Sequence, residues 1–551
     1  MLDTPIIQHK SLSKSLSVSR SSAMKRLFRN TISSADRHII TQYLRDAEKD
    51  VKDCQAEISR LKMAIITLES RRDGLRKSMD RYRSLLSPVH RLPAEILLNV
   101  FTFCCEQNEL CLEQKDSTRP CAPPPAVAIS MVCGRWRDVA LASPSLWTSI
   151  CIEFSNWKSD HHKLLRMTRL FLERSQKAPL KLELDFSHTE GNIEPVLDTL
   201  SLLVQHSNRW FDLELRVMTS IIRHPVFTQI RGRLPLLKWL YFNEVPIPDS
   251  APEPVDDWID RLNILEFAPN LSHLAFKPDF HVVDFLLPLE QIRTLKLHDS
   301  YAINSLEFLP LCSNVQRLEL FRVGGGEAYT GPMVTCSNIQ NLVIEAESQD
   351  DVSCILRHSN FPQLTSISIS GLKSGISEDW VRWDDLEVPI ETFLRRSACT
   401  ITTLHLQSLP MLDHQAISLL RLMPALENLH IQEMVRDNEE FPINKIVTSV
   451  FLQNLLVDHA CSSESTPFLP RLANLTLAVH GYNLDGEALL KAITSRWLAT
   501  RGLPSDVGVN SLKSVSIRLI GEACHIENDL FALDGFRDAG LRVSVSYSFV
   551  G

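Results

Sequence analysis

Histidine, cysteine and carboxylate side chains are the ones that could do covalent or metal chemistry here, and their spacing points away from both. His161 and His162 follow Asp160, a trio that reads as the first turn of a helix. No GxSxG nucleophile turn and no HExxH metal pair occurs. The 13 cysteines include no CxxC pair and no regular Cys/His frame, so they read as reduced thiols and not as a zinc module or a disulfide framework. Gly324–Gly326 follows a strand-like run, but no GxxxxGK[ST] or GxGxxG frame surrounds it and no lysine follows; it reads as a repeat loop. The expectation is therefore no catalytic residue, no metal and no cofactor. An enzyme hidden in an α/β domain would need a closed pocket with clustered titrating groups.

Recognition is the chemistry that remains. From about residue 175 onward a pattern recurs: an apolar residue, two variable ones, an apolar, one variable, an apolar. It is seen as LKWLYF from Leu237, LSHLAF from Leu271, IRTLKL from Ile292, VQRLEL from Val315 and IQNLVI from Ile339. It continues as LTSISI from Leu364, ITTLHL from Ile401, LENLHI from Leu426, LANLTL from Leu472 and LKSVSI from Leu512. LKLEL at Leu180 and FDLEL at Phe211 are weaker copies. The alternating part predicts a strand with its leucines inward. Stretches such as Asp413–Met423 and Glu487–Thr500 predict helices between strands, and Pro or Asn often stands just before the next strand. About twelve strands should form one parallel sheet, because each repeat needs neighbours to bury its apolar face.

The variable positions then share the outer face of that sheet. Trp239, Tyr241, Lys296, Arg317, Glu319, Phe321, His405 and His430 are the candidates for binding a target protein, since aromatic and arginine side chains dominate binding hot spots. For any one of them the plainer reading is a solvated strand position. Acidic insertions at Glu244–Asp260, Glu345–Asp351, Glu378–Glu391 and Asp437–Glu440 would attract a basic segment, or simply keep the loops soluble.

Residues 85–151 begin LLSPVHRLPAEILLNVFTFC and end ISMVCGRWRDVALASPSLWTSIC. Pro93 suits the first turn of a helix, where its missing N–H costs no bond. Ile96, Leu97, Val100 and Phe101 then fall at helical spacing. A second helix is expected over roughly Ala128–Ala142, with Val132, Trp136, Val139 and Ala140 on one side. Ser143–Pro144 stops it, and Leu146 and Trp147 fold back as a plug. Between the helices, residues 106–127 hold Pro120 and Pro123–Pro125 and read as an inserted loop.

Upstream, residues 37–87 carry a heptad repeat. One seam runs through Leu44, Val51, Ile58, Ile65, Arg72, Met79 and Leu86; the other through Ile40, Ala47, Cys54, Leu61, Leu68, Leu75 and Tyr82. Only Arg72 is charged, so a coiled coil with self-association is expected, against the plainer reading of one helix folded onto the body. Residues 1–36, with nine Ser and six Lys/Arg, read as a disordered basic tail. The net charge of −8 divides unevenly: residues 1–91 hold 19 Lys/Arg and 10 Asp/Glu, leaving 39 against 56 for the rest. A basic arm on an acidic body does not suit a nucleic-acid binder. No stretch of about 18 apolar residues suggests a membrane span. Cysteine usage suits the cytoplasm or nucleus.

The order LPxEIL, VCxxWR, PxLW resembles an F-box, and with the repeats the chain resembles a fungal-type F-box protein with a coiled coil and C-terminal leucine-rich repeats. The resemblance implies an adaptor of an SCF-type ubiquitin ligase. Leu92, Pro93, Glu95, Ile96, Leu97, Val132, Cys133, Trp136, Pro144, Leu146 and Trp147 would bind a Skp-type linker, which joins a cullin scaffold. The repeats would hold an unknown protein substrate. The implied layout is a tail at 1–36, a coiled coil at 37–87, an all-α F-box at 88–151 and an α/β leucine-rich-repeat solenoid at 152–551. A scaffold with no ligase role is the alternative.

Overall fold

A computed structural model describes residues 28, 31–110, 122–154, 160–187, 193–217, 219–244, 263–277, 286–299, 301–324, 329–372, 387–433, 445–458, 467–481, 484–497, 508–520 and 527–548. Most of the basic tail, the middle of the Pro-rich link, the insertions after Glu244 and at 437–440, and much of 378–391 lie outside these residues. The chain divides into two compact units, Met1–Ala94 and Glu95–Gly551.

The first unit is built on one helix of 52 residues, Ser34–Leu85. Ser33 caps it: its hydroxyl accepts the Asp36 N–H at 3.2 Å, and Asp36 accepts the Ser33 N–H at 3.1 Å. The helix therefore starts three residues before the expected position. Pro88 follows its end and opens a short 3-10 turn, Pro88–Arg91. No residue of the long helix is buried.

In the second unit the helix Ala94–Cys104 buries Leu97 and Phe101. The single helix expected over Ala128–Ala142 is two helices, Pro125–Val132 and Gly134–Ala142. Cys133 between them is extended, with φ −158° and ψ 170°. Gly134 is a poor helix former, so the break costs little there. The break lets Arg137 Nε donate to the Ser130 carbonyl at 3.0 Å and sets Trp136 4.8 Å from the Phe101 ring. The Pro-rich link is also shorter than expected: Pro125 opens a helix at the position where its missing N–H loses no bond, and Glu109–Leu110 is already a strand.

That strand begins a sheet of 15 strands, all parallel and each paired with the next along the sheet. All twelve sequence copies of the repeat are strands in it, from Leu180–Asp185 to Ser514–Ile520. Three strands were not foreseen: Glu109–Leu110, Ser149–Glu153 and Arg542–Ser548. Ser149–Glu153 crosses the boundary expected at 151/152, so the sheet starts inside the helical segment. Burial alternates along most strands, as in Leu180–Asp185 and Asn341–Ala346, so the leucines face the helices and the variable residues face out.

The helical layer is coupled repeat to repeat. Asn270, Gln291, Asn314 and Asn338 donate side-chain N–H groups to the carbonyls of Pro235, Ala268, Glu290 and Ser313 in the preceding repeat. Arginines do the same at helix ends. Arg209 donates to the Leu172 and Ala178 carbonyls and to the Ser175 hydroxyl, and Arg396 to the Leu356 and Ser359 carbonyls. Arg496 donates to the carbonyls of Leu455, Phe468 and Leu469. Three of these carbonyls, of Leu172, Leu356 and Leu455, stand at helix ends that leave them without intrahelical partners. Glu345–Asp351 is no insertion. It runs from a strand into the capped start of Gln349–His358, where Asp350 and Asp351 complement the helix dipole.

Candidate functional site

Two surfaces collect the expected site residues. The first is the helical segment. Its interior is pinned by Asn108, which is fully buried and donates to the carbonyls of Cys105, Leu146 and Ser149 at 3.2, 3.1 and 3.2 Å. It also accepts the Ala126 N–H at 3.0 Å. Trp147 Nε1 donates to the Ala140 carbonyl at 2.8 Å, the ring meets Phe171 edge-on at 5.1 Å, and the Arg174 guanidinium lies 4.3 Å from its centroid. Leu97, Leu146 and Trp147 are thus core residues. Leu92, Cys133, Trp136 and Pro144 are half-buried, while Pro93, Glu95, Ile96 and Val132 are exposed.

Exposed apolar side chains mark what this segment offers. Ile96, Val100 and Phe103 follow one another up the helix Ala94–Cys104, and Phe103 is 75% exposed. Met131 and Val132 project from the end of Pro125–Val132 at 67% and 60% exposure. Phe103 and Met131 were not among the expected docking residues; the helical spacing of Phe103 from Ile96 was the available signal.

The second surface is the outer face of the sheet. Register sets Glu183, Glu214, Tyr241, Ala275, Lys296 and Glu319 in one row. Trp239 stacks on His273 with ring centroids 3.4 Å apart. Tyr241 meets His298 edge-on at 5.4 Å, and His298 stacks on Phe321 at 5.0 Å. Glu319 is buried, and Lys296 Nζ lies 2.7 Å from it while Arg317 Nε holds its other oxygen. Burial pushes the Glu319 carboxyl up, but hydrogen bonds and charge from Lys296 and Arg317 outweigh it, leaving the group below its usual value. Six of the eight expected target-binding residues therefore share one neighbourhood.

His405 and His430 do not join it. Two strands, Asn341–Ala346 and Ser366–Gly371, separate them from Glu319, roughly 14 Å away at the usual strand spacing. They stack on each other at 5.1 Å and 13°. Burial lowers both, and His405 and Arg518 lower His430 further. A third group was not expected: Arg216 faces Glu214, Asp185 and Glu183 at 2.6, 3.2 and 3.4 Å. These residues lie in the strands of the two weaker copies, Leu180–Asp185 and Trp210–Val217.

Three buried thiols and the half-buried Cys151 are held away from covalent reactivity. Burial keeps Cys105 and Cys336 up at about 11 and Cys151 and Cys312 at about 12, far from thiolate character at neutral pH. His161 and His162 sit where expected, at a helix start that Asp160 caps through the Lys163 N–H at 3.2 Å. Gly324 directly follows the strand Arg317–Val323. Among the described residues no group of three or more His, Cys, Asp or Glu could hold a metal ion, and no helix is long and apolar enough to cross a membrane.

The helical segment defines the class of module. Residues 89–153 match the F-box-like family model. The chain thus carries an F-box-like domain there, after a long helix and before a parallel-sheet region with the form of a repeat solenoid. No curated protein matches the chain.

Proposed function

We propose that this chain is the substrate-recognition adaptor of an SCF-type ubiquitin ligase. F-box domains bind Skp-type linkers, and the observation that carries the reading is where the apolar residues stand. Inside the matched segment, Ile96, Val100, Phe103, Met131 and Val132 are exposed, while Leu97, Leu146 and Trp147 hold the fold. The linker would dock on the exposed set and on Leu92 and Pro93, which precede it in the chain, and the linker would bring the cullin. Leucine-rich repeats would present the target on the outer sheet face around Trp239, Tyr241, Arg317 and Phe321. Ubiquitin transfer would come from proximity within the assembly, with no catalytic group on this chain. The free cysteines among the described residues, with no paired spacing, suit a reducing compartment, cytoplasm or nucleus.

A scaffold with no ligase role is the second reading. The burial of Trp147 against Phe171, in the first helix of the repeat body, supports it, because it makes the aromatic plug of the segment a packing contact and not a docking one. Co-purification with a Skp-type linker separates the two. The parent chain should retain the linker, and the Leu92→Ala/Pro93→Ala and Ile96→Asp chains should lose it. No retention by the folded parent would leave the scaffold.

A further inference from the structure

The helix Ser34–Leu85 leaves most of its heptad seam exposed: Leu44, Val51, Ile58, Leu61, Leu68 and Leu75 are each 45–67% exposed, while Ile40 and Ala47 are half-buried. A stripe of that length on a single helix is marginal in water without a partner. We propose that the partner is the same helix of a second copy of this chain, running antiparallel. The register is the one that overlaps the full seam: Ile40 faces Leu86, Val51 faces Leu75, Cys54 faces Arg72, and Leu61 faces Ile65.

Charge decides the direction. Residues 34–61 hold five Lys/Arg and six Asp/Glu, whereas residues 62–85 hold seven and three. A parallel pair would lay the basic half of one helix on the basic half of the other. It would also set Arg72 against its own copy in the seam. Arg71 and Arg76, which flank the seam five residues apart, would meet each other across such a pair. The antiparallel register removes all three conflicts. The basic half then lies along Glu48, Asp50 and Glu57, and Arg72 faces the small Cys54, past which its long side chain can reach solvent.

The arrangement has a geometric consequence. At 1.5 Å per residue the rod is roughly 78 Å long, and the two C-terminal helix ends lie at opposite ends of it. The F-box-like segment follows each of those ends closely in sequence. The two chains therefore leave the rod at opposite ends, where a parallel pair would have both leave at the same end.

The test uses the full chain with Ala47→Cys and Met79→Cys. These positions face each other across the antiparallel seam and lie about 48 Å apart within one helix, too far for an internal link. Mild oxidation followed by peptide mass spectrometry should give an interchain disulfide joining the thiol introduced at position 47 to the one introduced at position 79. Like-to-like links, each introduced thiol to its own copy, would overturn the direction. Light scattering on the parent should give twice the 62.6 kDa chain mass, falling to one chain mass for Ile58→Asp/Leu68→Asp. A parent of one chain mass would overturn the pairing itself. Neither result depends on whether a linker binds.

Discussion

The Asn108 carboxamide donates to the Leu146 carbonyl at 3.1 Å across 38 residues of sequence, and so closes the F-box-like segment around the first strands of the sheet. The same side chain accepts the N–H of Ala126, in the first turn of Pro125–Val132. One buried residue thereby fixes both ends of the Pro-rich link. Asn108→Ala leaves three carbonyls and one N–H unpaired in the interior, an expected loss of about 3 kcal/mol. Urea melts of parent and variant followed by circular dichroism check this. A variant as stable as the parent would show that water replaces the amide without cost.

Arg496 is the corresponding pin in the repeat body. It is 2% exposed, burial lowers it to about 10, and it holds the carbonyls of Leu455, Phe468 and Leu469. Arg496→Met should lower stability by about 3 kcal/mol, and Arg496→Lys should recover less than half of that, since an ammonium cannot span three carbonyls as a planar fork does. Thermal melts of the three chains decide it.

How much of this was legible in the sequence depends on what each residue's neighbours do. The strands were legible because LxxLxL places leucines at period two, and twelve copies in series leave one way to bury them. Ser149–Glu153 was not, because SICIE lies inside a segment whose tryptophans and prolines signal a helical bundle. The break at Cys133 was hard to read: Gly134 weakens a helix but does not by itself end one, and the contacts of Arg137 and Trp136 reward the kink. The helical spacing of Ile96, Val100 and Phe103 was readable, but which apolar residues stay exposed depends on Asn108 and Trp147, which choose the inner face. The clustering of Trp239, Tyr241 and Phe321 followed from register, and so did the separation of His405 and His430.

Glu319 should show its ion pairs in acid. Its folded carboxyl lies below the ordinary 4.5, so the stability it contributes is present above that value and fades as pH falls through the lower, folded one. Glu319→Gln should cost about 1 kcal/mol at pH 7, small because Arg317 is half exposed and screened. The difference between variant and parent should shrink below pH 4.5. A difference constant from pH 7 to pH 3 would contradict the pairing.

The histidine pair should respond in a higher pH window. His405 and His430 are lowered from 6.5, so the unfolded chain takes up protons first and stability falls as pH drops below 6.5, until the folded rings charge as well. Melting temperatures of the parent and of His405→Gln/His430→Gln between pH 7.5 and 5 should differ in slope, with the double variant flatter. Equal slopes would place the dependence on other histidines.

Docking itself is measured most directly by calorimetric titration of a purified Skp-type linker into the full chain. The parent should bind with one linker per chain. Ile96→Asp/Val132→Asp, changed only at exposed positions, should weaken binding at least a hundredfold while melting like the parent. A parent that gives no heat and no complex, or a double variant that binds as tightly as the parent, would contradict an adaptor role for the segment 89–153.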